Sequence, residues 1–226
     1  MIKRDFIEKL PKTDLHVHLD GSLRMNTLLE LASRLSASDD QPSFSPEEIK
    51  DSLIPGKIYP DLEDYLKTFE ITLSVMQTRD SLMRIAYELA EDCAAENVKY
   101  VEVRFSPILH TRQGLKMTDI IESVIGGLKK ASRDFGIRTG IIVCGIRNMD
   151  PESSLELAQL AVDYKNRAVV GFDLAGAEKD FPAKDHLEAF YLIINNNVNS
   201  TVHAGEAFGP DSIAQALHYC GANRIG

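Results

Sequence analysis

The sequence predicts an α/β chain built from parallel βα units, arranged either as a barrel or as a doubly wound sheet. Two observations predict the class. Short, apolar, β-branched runs recur at Thr13–Leu19, Val98–Ser106, Arg138–Ile146, Val169–Ala175 and Val198–Ala204, and helix-patterned stretches fill the gaps between them. A third narrows it: no glycine-rich GxGxxG loop follows any strand, which disfavours a dinucleotide-binding sheet.

The first run holds His16 and His18. Side chains at i and i+2 of a strand share a face, about 7 Å apart along the backbone, so the two imidazoles can converge on one metal ion. Neutral imidazole suits zinc and its borderline neighbours. The run breaks at Asp20-Gly21, a common turn pair, which puts both histidines at the strand's C-terminal end, where barrel enzymes keep their chemistry. Taken alone, such a pair also fits surface or core histidines. The fifth run, however, ends in His203-Ala204-Gly205-Glu206. Three protein ligands can hold an ion whose bound water becomes a nucleophile. Glu206 is then placed as a proton carrier rather than a ligand.

Between the first two strands lies a long interval, 23–97, with a polar Pro/Ser-rich stretch from Ser36 to Pro46 followed by helical patterns. Insertions of this kind lie at a barrel's active-site mouth and often act as lids. Leu62, Tyr65, Leu66 and Phe69 fall on one helical face, which by spacing alone reads as an ordinary core face. Thr118 is the expected N-cap of a helix over Asp119–Phe135 that ends near Gly136. Asp150-Pro151 opens a helix over Pro151–Lys165, and Pro210–Cys220 reads as a helix stopped by Gly221. Asn223 to Gly226 reads as the start of a sixth strand. Five strands and a fragment cannot close an eight-stranded barrel and would leave open edges.

Of 226 residues, 44% are hydrophobic and 26% charged, with a net charge of −9, which suits a globular domain with a sizeable core. The acidic balance argues against non-specific binding to nucleic acid or anionic membranes, which needs clustered Lys and Arg. The N-terminal MIKRDFIEKL lacks a signal peptide's apolar core, and no stretch approaches the ~20 apolar residues of a membrane span. Cys93, Cys144 and Cys220 are odd in number and widely spaced, as expected of buried thiols in a reducing cytosol. A cytoplasmic protein is therefore expected.

The segments PKTDLHVHLDGSL, YVEVRFSP, VVGFDLAGAE and TVHAGE, met in order along the chain, resemble the adenosine deaminase family of the metal-dependent amidohydrolase superfamily. The resemblance implies a TIM-type (β/α)8 barrel of which the first five to six βα units are present, forming one domain over 1–226 with a helical lid insertion over about 23–97. It implies one zinc ion per chain held by His16, His18 and His203, with Glu206 as general acid/base. Burial against apolar walls is expected to keep Glu206 protonated for transfer to the purine N1. Substrate contacts fall to His18, to Asp20 (which would accept from the ribose 5′-hydroxyl) and to the backbone N–H of Gly176, which would meet purine N3. By residue type alone, Asp20 reads as turn chemistry, and Gly176 reads equally as a turn glycine. Relatives often carry Asp at the position of Ala177, which loosens side-chain roles in that loop. The apolar stripe from Leu62 to Phe69 becomes the wall that closes over the nucleoside.

The implied reaction is hydrolytic deamination of adenosine or deoxyadenosine in purine salvage, with a small purine nucleoside as partner and no nucleic acid or membrane. The alternatives are an adenine or AMP deaminase of the same family, or a catalytically incomplete nucleoside- and metal-binding fragment. The family's pattern continues beyond Gly226 with a histidine and two aspartates, so the chain is expected to be a C-terminally truncated piece with little activity alone. Asp173 and Glu178 are expected near the site or in structural ion pairs. Arg104, one strand face from Glu102, is expected in a buried pair beneath the site rather than in a catalytic role. His110 is a candidate for the barrel mouth, and His186 and His218 read as ordinary helix residues.

Overall fold

The computed structural model describes residues 3–35, 44–53 and 56–226. The Pro/Ser-rich stretch read from sequence falls mainly outside these residues. The chain runs α1 (Arg4–Lys9), β1 (Lys12–His18), α2 (Met25–Leu35), α3 (Pro46–Ser52), α4 (Leu62–Lys67), α5 (Phe69–Val75), α6 (Arg79–Ala95), β2 (Val98–Phe105), α7 (Met117–Phe135), β3 (Arg138–Ile146), α8 (Pro151–Tyr164), β4 (Val169–Ala175), α9 (Leu187–Asn195), β5 (Asn199–Val202), α10 (Pro210–His218) and β6 (Arg224–Ile225). Six strands pair in sequence order and every pair is parallel. Helices return the chain between strands, as parallel pairing demands. The result is a curled half-barrel, the partial (β/α)8 architecture expected from the sequence.

Local chemistry explains the boundaries. In α7 the buried residues Ile120, Ile121, Val124, Leu128 and Ala131 fall at helical spacing. They pack with Leu82, Ile85, Ala86 and Leu89 of α6 in the layer outside the sheet. That helix starts two residues earlier than read from sequence. Lys116 is its N-cap without a side-chain hydrogen bond, so Thr118 sits inside the first turn. Its end at Gly136, which is left-handed, matches the reading. The Asp150 cap of α8 accepts from the Glu152 N–H at 3.0 Å, as expected of an Asp-Pro opening. In α10 the helix ends at His218, two residues short of the sequence reading. The apolar stripe spans two helices rather than one, because the chain breaks between α4 and α5 at Thr68.

β3 and β4 match the sequence reading residue for residue, while β5 is trimmed to Asn199–Val202. That trimming releases His203 and its successors into the loop above the strand ends. Parallel register therefore delivers β1, β3, β4 and β5 to one rim of the sheet, where the loops gather.

Candidate active site

A cavity of about 770 Å³ opens at that rim, within the range of small-molecule sites. His16 and His18 reach it from β1, and His203 from the loop after β5. Their Nε2 atoms are 3.3 Å (His16–His18), 3.0 Å (His16–His203) and 3.1 Å (His18–His203) apart. Three ring nitrogens at such distances cannot all be satisfied by one another, so lone pairs converge on a common point. Tetrahedral zinc, with bonds to nitrogen of about 2.0–2.1 Å, needs nitrogens roughly 3.3–3.4 Å apart. The three residues thus fit the ion in number, donor type and spacing. Burial, reinforced by Arg104 and by His203, lowers the pKa of His16 to about 4; burial, then His203 and Arg104, lower that of His18 to about 3. Both rings are neutral at pH 7, the form that ligates metal.

Beneath the histidines lies the buried pair expected for Arg104, and its carboxylate is Asp173. Arg104, 1% exposed, donates to the Asp173 carboxylate at 2.9 Å and to the Leu15 carbonyl at 2.9 Å. Glu102 does not meet Arg104; it accepts from the Tyr100 hydroxyl at 2.9 Å and pairs with Arg224. The curl of the sheet, which brings side chains of β2 and β4 together past β3, chooses the partner rather than nearness in sequence. The Asp173 carboxylate also stands 2.9 Å from Nδ1 of His203, displaced from the line of the ring N–H. Burial would raise the Asp173 pKa, yet His203 and Arg104 outweigh it and hold the carboxyl well below the usual range. An anion beside Nδ1 favours the proton there and leaves Nε2 free for the cavity.

Asp20 lies in the turn after β1 and is 8% exposed, with Oδ1 lacking a hydrogen-bond partner. It lines the cavity and stands 4.0 Å from His18 Nδ1. Burial raises its pKa to about 6, against the pull of its own and Gly21's backbone N–H. A buried carboxylate oxygen left without a donor costs free energy unless a ligand donor meets it. Gly176 also lines the cavity, with φ of +97°. A Cβ there would stand 2.7 Å from Asn148 Oδ1, so both the backbone conformation and the space require glycine.

Leu62, Tyr65, Leu66 and Phe69 all line this cavity, which sets aside the core-face alternative. Glu206 lines it too, but is exposed; the apolar enclosure expected around it is absent among the described residues. Its loop stands at the open edge of the rim facing Tyr65, which is 43% exposed. His186 is the N-cap of α9, with Nε2 3.1 Å from the Arg147 carbonyl, and His218 ends α10.

His110 is fully buried off the cavity, with Nδ1 2.9 Å from the Met76 carbonyl. Burial lowers its pKa to about 4. Unfolded histidine titrates near 6.5, so between these values the unfolded chain takes up a proton that the folded chain refuses. Stability is kept above pH 6.5 and falls by about 1.4 kcal/mol per unit towards pH 4 from this group. Urea unfolding at pH 7 and pH 5 checks this: the fall is expected to be smaller in His110→Gln than in the native chain, and equal falls would contradict it.

Ser106, Cys144 and Asn148 are among the lining residues that escaped the sequence reading. All lie at or just beyond the C-terminal ends of β2 and β3, which is the signal that would have found them. Arg147, also missed, is buried and donates to the Phe181 carbonyl at 3.2 Å and to the His203 carbonyl. The three cysteines are free, with Cys144 and Cys220 buried. Among the described residues no helix is long and apolar enough to cross a membrane.

A parallel half-barrel with a histidine cluster and carboxylates at its C-terminal rim defines an amidohydrolase-type barrel. Comparison with known proteins specifies the family. The chain belongs to the adenosine deaminase family, whose model matches residues 11–226. It is 44% identical over 227 residues to adenosine deaminase 1 of Streptomyces coelicolor, covering 98% of this chain and 57% of that protein. Among solved structures, an amidohydrolase from Burkhoderia ambifaria with bound zinc superposes with a TM-score of 0.87 at 26% identity, over 100% of this chain and 61% of that one. Arabidopsis ADAL in complex with GMP superposes with a TM-score of 0.85 at 30% identity, over 98% of this chain and 66% of that one. The chain spans between 29% and 62% of the length of the curated relatives it first matches.

Proposed function

We propose that this chain carries the substrate pocket and the histidine ligands of a zinc-dependent adenosine deaminase, which converts adenosine or deoxyadenosine to the inosine product and ammonia in purine salvage. One observation carries the reading. Three convergent imidazoles, Glu206 and Asp20, whose Oδ1 lacks a partner, surround a single cavity with no lysine or arginine among its described lining residues. A nucleotide's phosphate calls for such cations. The likeness to an adenosine deaminase at 44% identity points the same way.

His16, His18 and His203 hold the zinc. When bound, zinc supplies hydroxide at neutral pH by lowering the pKa of water towards about 7. Glu206 donates a proton to purine N1, which makes C6 electrophilic, and is reprotonated by the attacking water; the remaining proton of the new C6 hydroxyl leaves with the amino group as ammonia when the C6–N bond breaks. Asp20, with His18 beside it, accepts from the ribose 5′-hydroxyl. The Gly176 N–H donates to purine N3. Leu62, Tyr65, Leu66 and Phe69 cover the base, excluding water from the reacting carbon. Residues 1–226 act as one domain, with the 23–97 insertion as its lid, in a cytoplasmic enzyme.

The ribose contact separates a nucleoside enzyme from an adenine deaminase. In the full-length protein, Asp20→Ala is expected to lower kcat/KM for adenosine by roughly 10–100-fold, the scale of a hydrogen bond to a charged group. The rate with 5′-deoxyadenosine, which lacks the donor, should stay within about twofold of native. Equal losses on both substrates would remove Asp20 from ribose recognition.

A further inference from the structure

Glu178 lies in the loop after β4, is 4% exposed and does not line the cavity. Its carboxylate instead gathers the loop that carries Glu206. Oε1 accepts from the Gly205 N–H at 2.6 Å, and Oε2 accepts from the N–H groups of Ala207 and of Phe208, the latter at 2.8 Å. The Ser212 hydroxyl in the first turn of α10 is a further donor. Burial alone would raise the Glu178 pKa, but Ser212 and the three amides outweigh it and hold the carboxyl below its ordinary value. The amides flanking Glu206 on both sides are therefore tied to one anion. A Cβ on Gly205, whose φ is +86°, would stand 2.7 Å from Ile213, so the same loop is also pressed against α10.

We propose that Glu178 is a positioning residue for Glu206: it holds the 205–208 backbone so that the Glu206 carboxylate faces the reacting base, without itself touching substrate. The inference rests on the reading of Glu206 as the proton carrier. Its physical basis is the multiplicity of the tether. Charge-assisted hydrogen bonds are about twice as strong as neutral ones, and displacing a proton-transfer group by about 1 Å can cost about 100-fold in rate. Arg147 adds a second tie at the loop's start through the His203 carbonyl.

The test is a double-mutant cycle in the zinc-loaded, full-length protein, with Glu178→Gln, Glu206→Gln and the pair. Gln keeps the shape of Glu178 but turns an NH2 group towards backbone donors. Glu178→Gln is expected to lower kcat roughly 10–100-fold, the usual cost of losing a group that orients a site residue, with KM within about twofold and zinc content unchanged. In the Glu206→Gln background it should add no further loss. Amide exchange of Gly205, Ala207 and Phe208 should accelerate about tenfold or more. A Glu178→Gln loss that persists undiminished in the Glu206→Gln background, or unchanged kcat and exchange, overturns the proposal. Should Glu178→Gln fail to fold, Ser212→Ala removes one partner of the same carboxylate. It should give a smaller kcat loss that again vanishes beside Glu206→Gln, and an undiminished loss there is contrary. A Glu206→Gln enzyme with native turnover overturns the proton-carrier reading and the positioning proposal together. Native turnover in Glu178→Gln beside a dead Glu206→Gln overturns the positioning proposal alone.

Discussion

Replacing Glu206 with Gln is expected to reduce adenosine turnover by roughly 10²–10⁴-fold in the full-length protein while leaving its zinc bound, the scale of general acid/base catalysis. The substitution keeps size and polarity but removes the ability to give or take a proton at the positions facing the base. Zinc retention follows from the geometry: the convergent ligand atoms come from His16, His18 and His203, and Glu206 is not among them. KM should change little, because the proton is transferred in the transition state and not on binding. Kinetics and metal analysis on the same sample decide the point. Loss of zinc together with activity would make Glu206 a ligand or a fold residue; near-native turnover would remove it from the mechanism.

The second large effect is on stability. Arg104→Met should destabilise the chain by about 3–5 kcal/mol, because it strands the Asp173 carboxylate without its cation in a fully buried place. The loss includes the donor to the Leu15 carbonyl, which lies directly before His16. Zinc affinity should fall as well, since Asp173 also stands beside His203. Arg104→Met combined with Asp173→Asn should recover part of the stability but not the zinc affinity. Urea unfolding and zinc titration read these separately, and a destabilisation below about 1 kcal/mol would contradict a structural role for the pair.

These expectations draw on two kinds of information, and only one was legible in the sequence. The strand runs were visible because parallel strands covered by helices are near-continuous apolar stretches. β3 and β4, bordered by helix-patterned segments with caps, were therefore found to the residue. His16, His18, His203 and Glu206 were visible because strand alternation and strand ends set their direction before any tertiary contact is known. Arg104 reads as part of a buried pair, but the partner is not legible: the fold supplies Asp173, two strands and 69 residues away. Nothing local encodes that pairing; it depends on strand order and register. The tether of Glu178 to 205–208 and the reach of Arg147 to His203 were hidden for the same reason. Both join loops that only the curl of the sheet brings together. Glu206 stands exposed at the rim among the described residues, which its residue type and neighbours do not reveal.

The most direct measurement is ammonia release from adenosine, adenine and AMP, each supplied to the zinc-loaded full-length protein. The account predicts adenosine well ahead of both others, with the activity lost on chelation and restored by zinc. Preference for AMP or adenine would contradict the nucleoside assignment, and zinc-independent turnover would contradict the role given to the three histidines.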